Sequence, residues 1–399
     1  MLIRRRAFLQ MSTLATSSLL IPGFLKAFEG KANATAGNKV LVIMQLSGGN
    51  DGLNTVIPVR NDIYFRERPK LGIQKDKALA LTEEAGLHPE LTCFKALYDE
   101  GNLAILNNVG YPNPDRSHFR SMDIWQSASA SNEFKNTGWL GRWLDQQCVQ
   151  CDMPTQGLEI DDTLSLALGG ERMKGIALKD PARLYRTCQD PFFKQILQSG
   201  NIHPASDSSS YLYQVMAETI SGAGYIYDQS KGYAGNTVYP DSETGKNLKT
   251  VASLICSDIN TRVYYLSLGS FDTHVNQEDR QKKLFSEMND AVKSFISDLK
   301  SNHRFDEVLL LTFSEFGRRV SQNASGGTDH GTANNMFLIS GGLKKAGLLN
   351  DMPDLVNLSE GDLQYQLDFK NVYATVLKKW LEADDIKILG GKYECLDFI

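Results

Sequence analysis

Residues 261–313, TRVYYLSLGSFDTHVNQEDRQKKLFSEMNDAVKSFISDLKSNHRFDEVLLLTF, hold two apolar runs with a helical pattern between them. The runs at 261–268 and 307–313 are short and continuous, which is typical of strands that are buried on both faces. Within 278–300, apolar residues recur every three or four positions, which predicts an amphipathic helix. A strand, a helix and a second strand at this spacing form a βαβ unit, so we expect a largely parallel sheet.

The rest of the chain repeats these patterns. Further strands are predicted at 39–46 (KVLVIMQL), 102–109 (NLAILNNV) and 335–340 (NMFLIS), and further helices at 91–98 and 368–381. Alternation of strands and helices indicates an α/β fold. By contrast, the stretch 150–260 combines helix-like segments with polar, turn-rich ones, and it carries few residues suited to chemistry. We interpret it as a mostly helical insertion or cap within one domain that spans 35–399.

Residues 1–34 resemble a twin-arginine secretion signal. A basic block, Arg4-Arg5-Arg6, precedes Ala7-Phe8-Leu9-Gln10, a weakly apolar run at 11–25 and the small-residue site Ala32-Asn33-Ala34. The apolar run is too short to span a bilayer, and an ordinary N-terminal helix is the alternative. Twin-arginine export carries folded proteins, and taking up a cofactor in the cytoplasm is a common reason to fold first. We therefore expect the twin-arginine machinery as a partner and a periplasmic or extracellular location.

Charge and cysteine content limit the function further. Cleavage after Ala34 leaves 365 residues and changes the net charge from −5 to −9, because the signal holds five basic residues and one acidic one. Such a chain does not suit nucleic acid or an anionic membrane, and no later stretch is apolar for long enough to be a transmembrane segment. Cys148 and Cys151 form one C-x-x-C. It could close a disulfide or belong to a zinc site, or the two could be unrelated thiols.

Polar and ionisable groups follow each predicted strand, where open parallel sheets bind ligands. Carboxylate and imidazole groups there suit a divalent ion such as Zn²⁺, Mn²⁺, Mg²⁺ or Ca²⁺. Two residues apart in D-x-H, an aspartate and a histidine point the same way in an extended segment. A turn aspartate and a hydrogen-bonded structural histidine are the alternative interpretations. The predicted metal ligands are Asp51, Asp272, His274, Glu315, Asp329 and His330.

Ser117 is the candidate nucleophile. A serine beside a metal can be deprotonated and attack phosphorus or sulfur. The flanking Arg116 and Arg120 would hold the non-bridging oxygens by charge-assisted hydrogen bonds. Ser117 also precedes a helix-like stretch, so a helix N-cap is the competing interpretation, and one residue can serve both purposes.

Several long segments resemble domain-of-unknown-function family 1501, a family of exported bacterial proteins. They extend from about residue 39 to 385 and include LSGGNDGLNTVIPV, LAILNNVGYPNPDRSHFRSMDIWQS, LGSFDTHVNQ and LTFSEFGRRVSQNASGGTDHGTANNMFLISGG. The family is grouped with the alkaline-phosphatase-like superfamily. The resemblance implies a doubly wound fold with helices on both faces and a bimetal site at the strand tips.

Residue by residue, the resemblance places Asp51 at the first-strand metal aspartate and Ser117 at the nucleophile. Asp272 and His274 resemble the later Asp…His pair, but they are spaced one residue apart where three is usual in the superfamily. The usual Asp-His at the fourth strand tip is Ser314-Glu315 here, which removes an imidazole ligand. One metal, altered selectivity and a non-catalytic site are therefore all open.

The expected function is hydrolysis of a phosphate or sulfate ester, of a small molecule or a polysaccharide, by an exported metal-dependent enzyme. A non-catalytic binding or assembly protein with a degenerate metal site is the alternative. A serine esterase is a third interpretation, because Gly48-Gly49-Asn50-Asp51 resembles the G-x-N-D block of SGNH-type lipases. However, the G-D-S nucleophile that should precede this block is missing from the chain.

Overall fold

The computed structural model describes residues 39–147, 154–193, 207–233 and 235–399. The predicted signal at 1–34 and the pair Cys148 and Cys151 lie outside this range.

The described residues form twelve strands, and five of them lie close to the predicted positions. In chain order they are β1 (Val40–Leu46), β2 (Val56–Pro58), β3 (Leu79–Ala80), β4 (Ala85–Leu87), β5 (Leu103–Gly110), β6 (Gly157–Glu159), β7 (Ile176–Ala177), β8 (Val263–Leu268), β9 (Val308–Phe313), β10 (Asn334–Ile339), β11 (Gly347–Leu348) and β12 (Leu367–Asp368).

The α-helices include one long helix at the predicted βαβ crossover. They are α1 (Gly52–Thr55), α2 (Asp62–Glu67), α3 (Thr92–Asp99), α4 (His118–Ser127), α5 (Trp139–Gln147), α6 (Pro181–Cys188), α7 (Asp207–Ser230), α8 (Glu243–Cys256), α9 (Gln277–Ser301), α10 (Phe369–Thr375) and α11 (Asp385–Leu389). A π-helical turn, Val376–Trp380, continues α10. In the part of the chain that the structure describes, no helix has the length and apolar character needed to cross a bilayer.

The chain divides into two compact units. The larger comprises residues 41–134, 237–249 and 267–399, and the smaller comprises the described residues of 39–40, 135–236 and 250–266. The α/β class with a largely parallel sheet is confirmed. The single domain at 35–399 and its helical insertion at 150–260 stay predictions.

In the larger unit the strands run in the order β11-β5-β10-β9-β1, with β12 also beside β5. Strands β11 and β12 are parallel to β5, whereas β10 is antiparallel to both β5 and β9. The connection between β9 and β10 therefore begins and ends on the side of the sheet where the carboxyl end of β9 lies. Strands β2, β4 and β3 form a separate antiparallel sheet. In the smaller unit, β6 is parallel to β7 and to β8.

Trp125 fixes α4 to the sheet of the larger unit. Its ring stacks on Phe313 at the end of β9, with centroids 5.1 Å apart, and on Phe369 of α10 at 4.3 Å. The hydroxyl of Tyr373 donates to the Trp125 carbonyl at 3.2 Å. Stacked aromatic pairs of this kind add to the free energy gained by burying their large apolar surfaces. The N-terminus of α4 is thereby held in one place, which matters because His118 begins that helix.

Candidate metal centre

The carboxyl ends of β1 and β9 meet at one edge of the larger unit. The hydroxyl of Ser314, which follows β9, donates to the carbonyl of Leu46 at 2.7 Å and accepts from the Asn50 amide at 2.8 Å. The amide of Ser47 donates to the carbonyl of Leu268, the last residue of β8, at 2.9 Å. The loops that follow these strands are therefore brought together, as the sequence predicts.

Three side chains at this edge converge: His118, Asp272 and His330 each offer a ligand atom, and these atoms lie within 4.8 Å of one another. Nε2 of His330 is 3.3 Å from Asp272 Oδ1, and Nε2 of His118 is 3.8 Å from Asp272 Oδ2. A third imidazole, that of His274, places its Nδ1 2.8 Å from Asp272 Oδ1. We call His118, Asp272 and His330 the metal cluster.

Asp272 is held ionised by its neighbours. Partial burial opposes ionisation, but the Arg318 guanidinium, whose Nη2 donates to Oδ1 at 2.7 Å, together with His274 and His330, lowers the pKa of this carboxyl to about 2. The Arg318 side chain is fully buried and also donates to the carbonyls of Gly49 (2.6 Å) and Thr328 (2.9 Å). Asp272 is thus fixed from one side, while its Oδ2 faces His118.

His118 is oriented by Glu315. Its Nδ1 donates to Glu315 Oε1 at 2.9 Å, and the same oxygen accepts from the Gly48 amide at 2.8 Å. The Glu315 side chain is fully buried, so this hydrogen bond raises the pKa of His118 above the usual value for histidine. With Nδ1 committed, Nε2 is the atom that His118 presents to Asp272. A carboxylate behind an imidazole is the arrangement that commonly fixes the tautomer of a metal-bound histidine.

His330 is oriented by the main chain. Its Nδ1 donates to the carbonyl of Arg116 at 2.9 Å, and its Nε2 points at Asp272. Desolvation lowers the pKa of His330 below the usual value, with the nearby Arg318 and His118 charges acting in the same direction. The ring of Phe316 packs against His330 and His118, with centroids 4.7 and 4.8 Å away. His330 therefore favours the neutral form that can bind a cation.

This donor set fits a divalent metal ion. When both imidazoles are neutral, the tautomers favoured by Glu315 and the Arg116 carbonyl leave a lone pair on each Nε2, and both atoms face an ionised carboxylate. Acceptors that converge in this way repel one another unless a cation lies between them. Imidazole and carboxylate ligands on one tetrahedral ion would lie about 3.3–3.5 Å apart, given metal–ligand distances of about 2.0–2.2 Å. The observed separations are 3.3 Å to Asp272 Oδ1 and 3.8 Å to Asp272 Oδ2, and the three ligand atoms of the cluster lie within 4.8 Å of one another, somewhat wider than that geometry.

Gly48 makes this geometry accessible. Its φ is +118°, a backbone conformation that side chains rarely adopt, and a Cβ at this position would lie 2.4 Å from the amide nitrogen of Asp272. Only glycine lets the loop after β1 approach the Asp272 segment so closely. Its amide then reaches Glu315, which orients His118.

Asp51 is engaged elsewhere. Its Oδ1 accepts from the Leu53 amide at 3.1 Å and so caps α1, while its Oδ2 pairs with Arg68 Nη1 at 2.6 Å and accepts from the Gln277 side chain. The Asp51 and Arg68 side chains are 1% and 0% exposed. Since both carboxylate oxygens already have protein partners, this residue contributes to a buried ion pair beneath the strand tips.

The other sequence candidates lie around the metal cluster. Asp329 is exposed, and its Oδ1 accepts from Asn323 at 3.1 Å. Arg120 donates to the carbonyls of Ala130 (3.0 Å), Ser131 (2.9 Å) and Glu133 (2.5 Å). Neither side chain belongs to the cluster.

Ser117 occupies the N-cap position of α4, yet its side chain makes no capping hydrogen bond. It is exposed, and its amide donates to Asp115 Oδ1 at 2.7 Å. The neighbouring Arg116 side chain pairs with Asp362 and, at 3.4 Å, with Glu360. The roles predicted for Ser117, Arg116 and Arg120 stay predictions.

Sequence reasoning missed His118 and Arg318. The interpretation of residues 115–120 rests on their serine and two arginines. A signal for His118 was present, because it is a further histidine located just past a predicted strand. Arg318 gave no comparable signal, since buried arginines cannot be told from exposed ones by local spacing.

Comparisons with known proteins give one family and several structures of similar fold. None of the curated proteins matches the chain. Solved structures with similarity include a phosphonate monoester hydrolase from Silicibacter pomeroyi (8% identity, TM-score 0.44, 89% of this chain and 76% of the other), a sulfatase from Pseudoalteromonas sp. (12%, 0.38, 97% and 74%) and an alkaline phosphatase superfamily protein from Vibrio parahaemolyticus (10%, 0.36, 98% and 76%).

Identities this low concern the fold alone. The family model of proteins of unknown function DUF1501 matches residues 102–382, which is more than half of the sequence, and the chain therefore belongs to that family.

Proposed function

We propose that this protein is a metal-dependent hydrolase of phosphate or sulfate esters. One observation carries the proposal: two imidazoles whose Nδ1 atoms are committed to Glu315 and to the Arg116 carbonyl direct their Nε2 atoms at the ionised Asp272. An arrangement with oriented histidines, a carboxylate and hydrogen-bonded partners behind them is typical of catalytic metal centres.

In this proposal His118, Asp272 and His330 hold one divalent ion, and Glu315 supports His118 from behind. Asp51, Asp329 and His274 remain candidate ligands from the sequence. Among them, His274 contacts the metal cluster directly, through its Nδ1 and Asp272. A bound ion would supply a Lewis acid that polarises the ester and lowers the pKa of a nearby hydroxyl.

Ser117 is the proposed nucleophile, since it directly precedes His118 and its hydroxyl is not used as a cap. It lies at the first turn of α4, a ten-residue helix without acidic residues in that turn, where partial positive charge favours an anionic ester. Attack by the Ser117 oxygen on phosphorus or sulfur would release the alcohol, and water would then cleave the enzyme ester. Export through the twin-arginine machinery, directed by residues 1–34, completes the proposal and would place the reaction in the periplasm or outside the cell.

A non-catalytic metal-containing binding protein is the second candidate. The observation that favours it is that the guanidinium groups of Arg116 and Arg120 already have protein partners. Both arginines were expected to stabilise the ester oxygens, and this expectation requires them to exchange those partners. Turnover separates the two candidates, whereas metal content alone does not.

The test begins with metal content. Purified mature protein should contain about one transition-metal ion per chain by elemental analysis, and both His118→Ala and His330→Ala should lose it. His303→Asn is the matched control, because His303 is an exposed histidine outside the cluster and asparagine tolerates its φ of +56°. A metal-free protein that also fails to bind Zn²⁺ or Mn²⁺ in a titration would contradict the metal centre.

Activity is then measured with 4-nitrophenyl phosphate and 4-nitrophenyl sulfate on the metal-loaded protein. Hydrolysis that His118→Ala abolishes supports the hydrolase. Metal bound without hydrolysis of any phosphate or sulfate ester would leave the binding protein as the better interpretation.

A further inference from the structure

A pocket of about 360 Å³ adjoins the metal cluster. Two of its wall residues touch the cluster: Phe316 packs on the rings of His118 and His330, and the carbonyl of Arg116 accepts from His330. The pocket lies entirely within the larger unit. Its volume is at the lower end of the range for small-molecule sites, about 300–1,000 Å³.

Apart from Glu360, the exposed residues of the pocket wall are uncharged. Asn113, Ser359, Gln364 and Tyr365 are all exposed at the wall. Gln364 Nε2 donates to the Asn357 carbonyl at 3.0 Å, which leaves its amide oxygen as an acceptor. The wall thus combines amide and hydroxyl groups with one partly exposed aromatic side chain.

The charged groups at the pocket are already paired. Arg116 contacts both Asp362 and Glu360, and Arg319 lies 3.6 Å from the buried carboxyl of Asp362. A ligand that brought its own charge into this pocket would lose hydration without gaining an unpaired partner, which is costly. The pocket therefore favours a neutral ligand.

Tyr365 provides the apolar contact. Its side chain remains 38% exposed, while the other two aromatic residues of the wall, Tyr111 and Phe316, are buried at 3% and 1%. A sugar ring presents C–H groups on its faces and hydroxyl groups on its edges. It therefore matches an aromatic face bordered by amides and hydroxyls.

We propose that this pocket binds a neutral sugar ring, the alcohol part of the ester that the metal cluster would hydrolyse. The inference rests on the proposed function in one respect, because it takes the bound sugar to be part of an ester that the protein hydrolyses. Sugar binding by the pocket does not itself require catalysis. It assigns a substrate class, phosphate or sulfate esters of neutral glycosides, and it makes Tyr365 and Gln364 the residues that select it.

The experiment uses the mature protein after treatment with EDTA, so that binding is measured independently of metal and turnover. The probes are methyl glucoside, methyl galactoside, cellobiose and lactose, compared with glucuronic acid and glucosamine, and binding is followed by saturation-transfer NMR and calorimetry. We expect at least one neutral probe to bind, and both charged sugars to bind more weakly.

Two variants and a control locate the binding. Tyr365→Ala should weaken affinity about 3- to 10-fold, as expected for loss of one aromatic contact. Ser359→Trp, at an exposed position of the wall, should fill the pocket and abolish binding. Phe192→Ala should leave the affinity unchanged, because Phe192 is an aromatic residue of similar exposure (40%) that does not line the pocket.

Different results would refute the sugar-pocket proposal and the hydrolase proposal. Absence of binding for every neutral sugar, or equal effects of Tyr365→Ala and Phe192→Ala, would overturn the sugar pocket even if 4-nitrophenyl esters are hydrolysed. Sugar binding that Ser359→Trp abolishes would support the pocket even if no ester is turned over, in which case the hydrolase alone fails.

Discussion

Replacing Arg68 by methionine should destabilise the larger unit strongly while leaving the metal cluster intact. Arg68 Nη1 pairs with Asp51 at 2.6 Å, and the guanidinium also donates to the carbonyls of Val320 and Arg319, both at 2.8 Å. Methionine keeps much of the length but none of the donors. The variant would leave the Asp51 carboxylate buried without its cation.

The expected loss is about 3–5 kcal/mol, the cost of removing one partner from a buried ion pair. This range applies because the two side chains are 0% and 1% exposed, so water does not screen the remaining charge. Lys95→Met is the matched control, since Lys95 and Asp99 form an ion pair with exposures of 25% and 58%. Surface pairs of that kind contribute only about 0–1 kcal/mol.

The assay is urea unfolding of Arg68→Met, Asp51→Asn and the double variant, together with their metal content. Because the double variant leaves no buried unpaired charge, it should be more stable than the sum of the single losses implies. All three variants should keep their metal if Asp51 stabilises the fold by its ion pair with Arg68 and does not bind the ion. A loss below about 1 kcal/mol for Arg68→Met, or additive losses in the cycle, would refute the ion-pair argument. Loss of metal in Asp51→Asn with stability unchanged would instead show that Asp51 is a ligand.

Three further outcomes are expected. Ser117→Ala should abolish ester hydrolysis, and normal activity of this variant would exclude Ser117 as the nucleophile. Its free energy of unfolding should change by well under the ~1 kcal/mol that a functioning N-cap contributes, because the Ser117 hydroxyl makes no capping hydrogen bond. Burial raises the pKa of Glu159 to about 8, so the folded smaller unit binds this proton more tightly than the unfolded chain does, and stability falls as pH rises from about 4.5 to 8. Glu159→Gln should therefore stabilise the protein at pH 8 but not at pH 4.5 in thermal melts, and an equal effect at both values would contradict the assignment. Replacing Arg5 and Arg6 by lysine should leave uncut precursor in the cytoplasm on immunoblots of cell fractions, whereas normal export of this variant would exclude the twin-arginine route.

Local pattern was sufficient for the strands of six or more residues and for the crossover helix. The runs at 39–46, 102–109 and 307–313 became β1, β5 and β9, and the helix predicted at 278–300 became Gln277–Ser301. These assignments depend on the period of apolar residues along the chain, which a sequence displays directly. The direction of β10 was not encoded in this way, because a short apolar run looks the same in a parallel and an antiparallel strand.

His330 can belong to the metal cluster because β10 is antiparallel to β9. His330 precedes β10, so in a parallel strand it would enter the sheet from the opposite edge. Because β10 is antiparallel to β9, the connection from Glu315 to His330 stays at the edge where Asp272 lies.

The sequence by itself determined that acidic groups and imidazoles collect past the strand ends, and Asp272 and His330, two of its candidate ligands, lie together in the metal cluster. Only the tertiary structure decided which of the other candidates join them: His118 meets Glu315 across 197 positions of sequence, while Asp51 pairs with Arg68. The physical reason is that a side chain's partners depend on its burial and direction in the packed molecule. Spacing along the chain fixes only which strand end a residue follows.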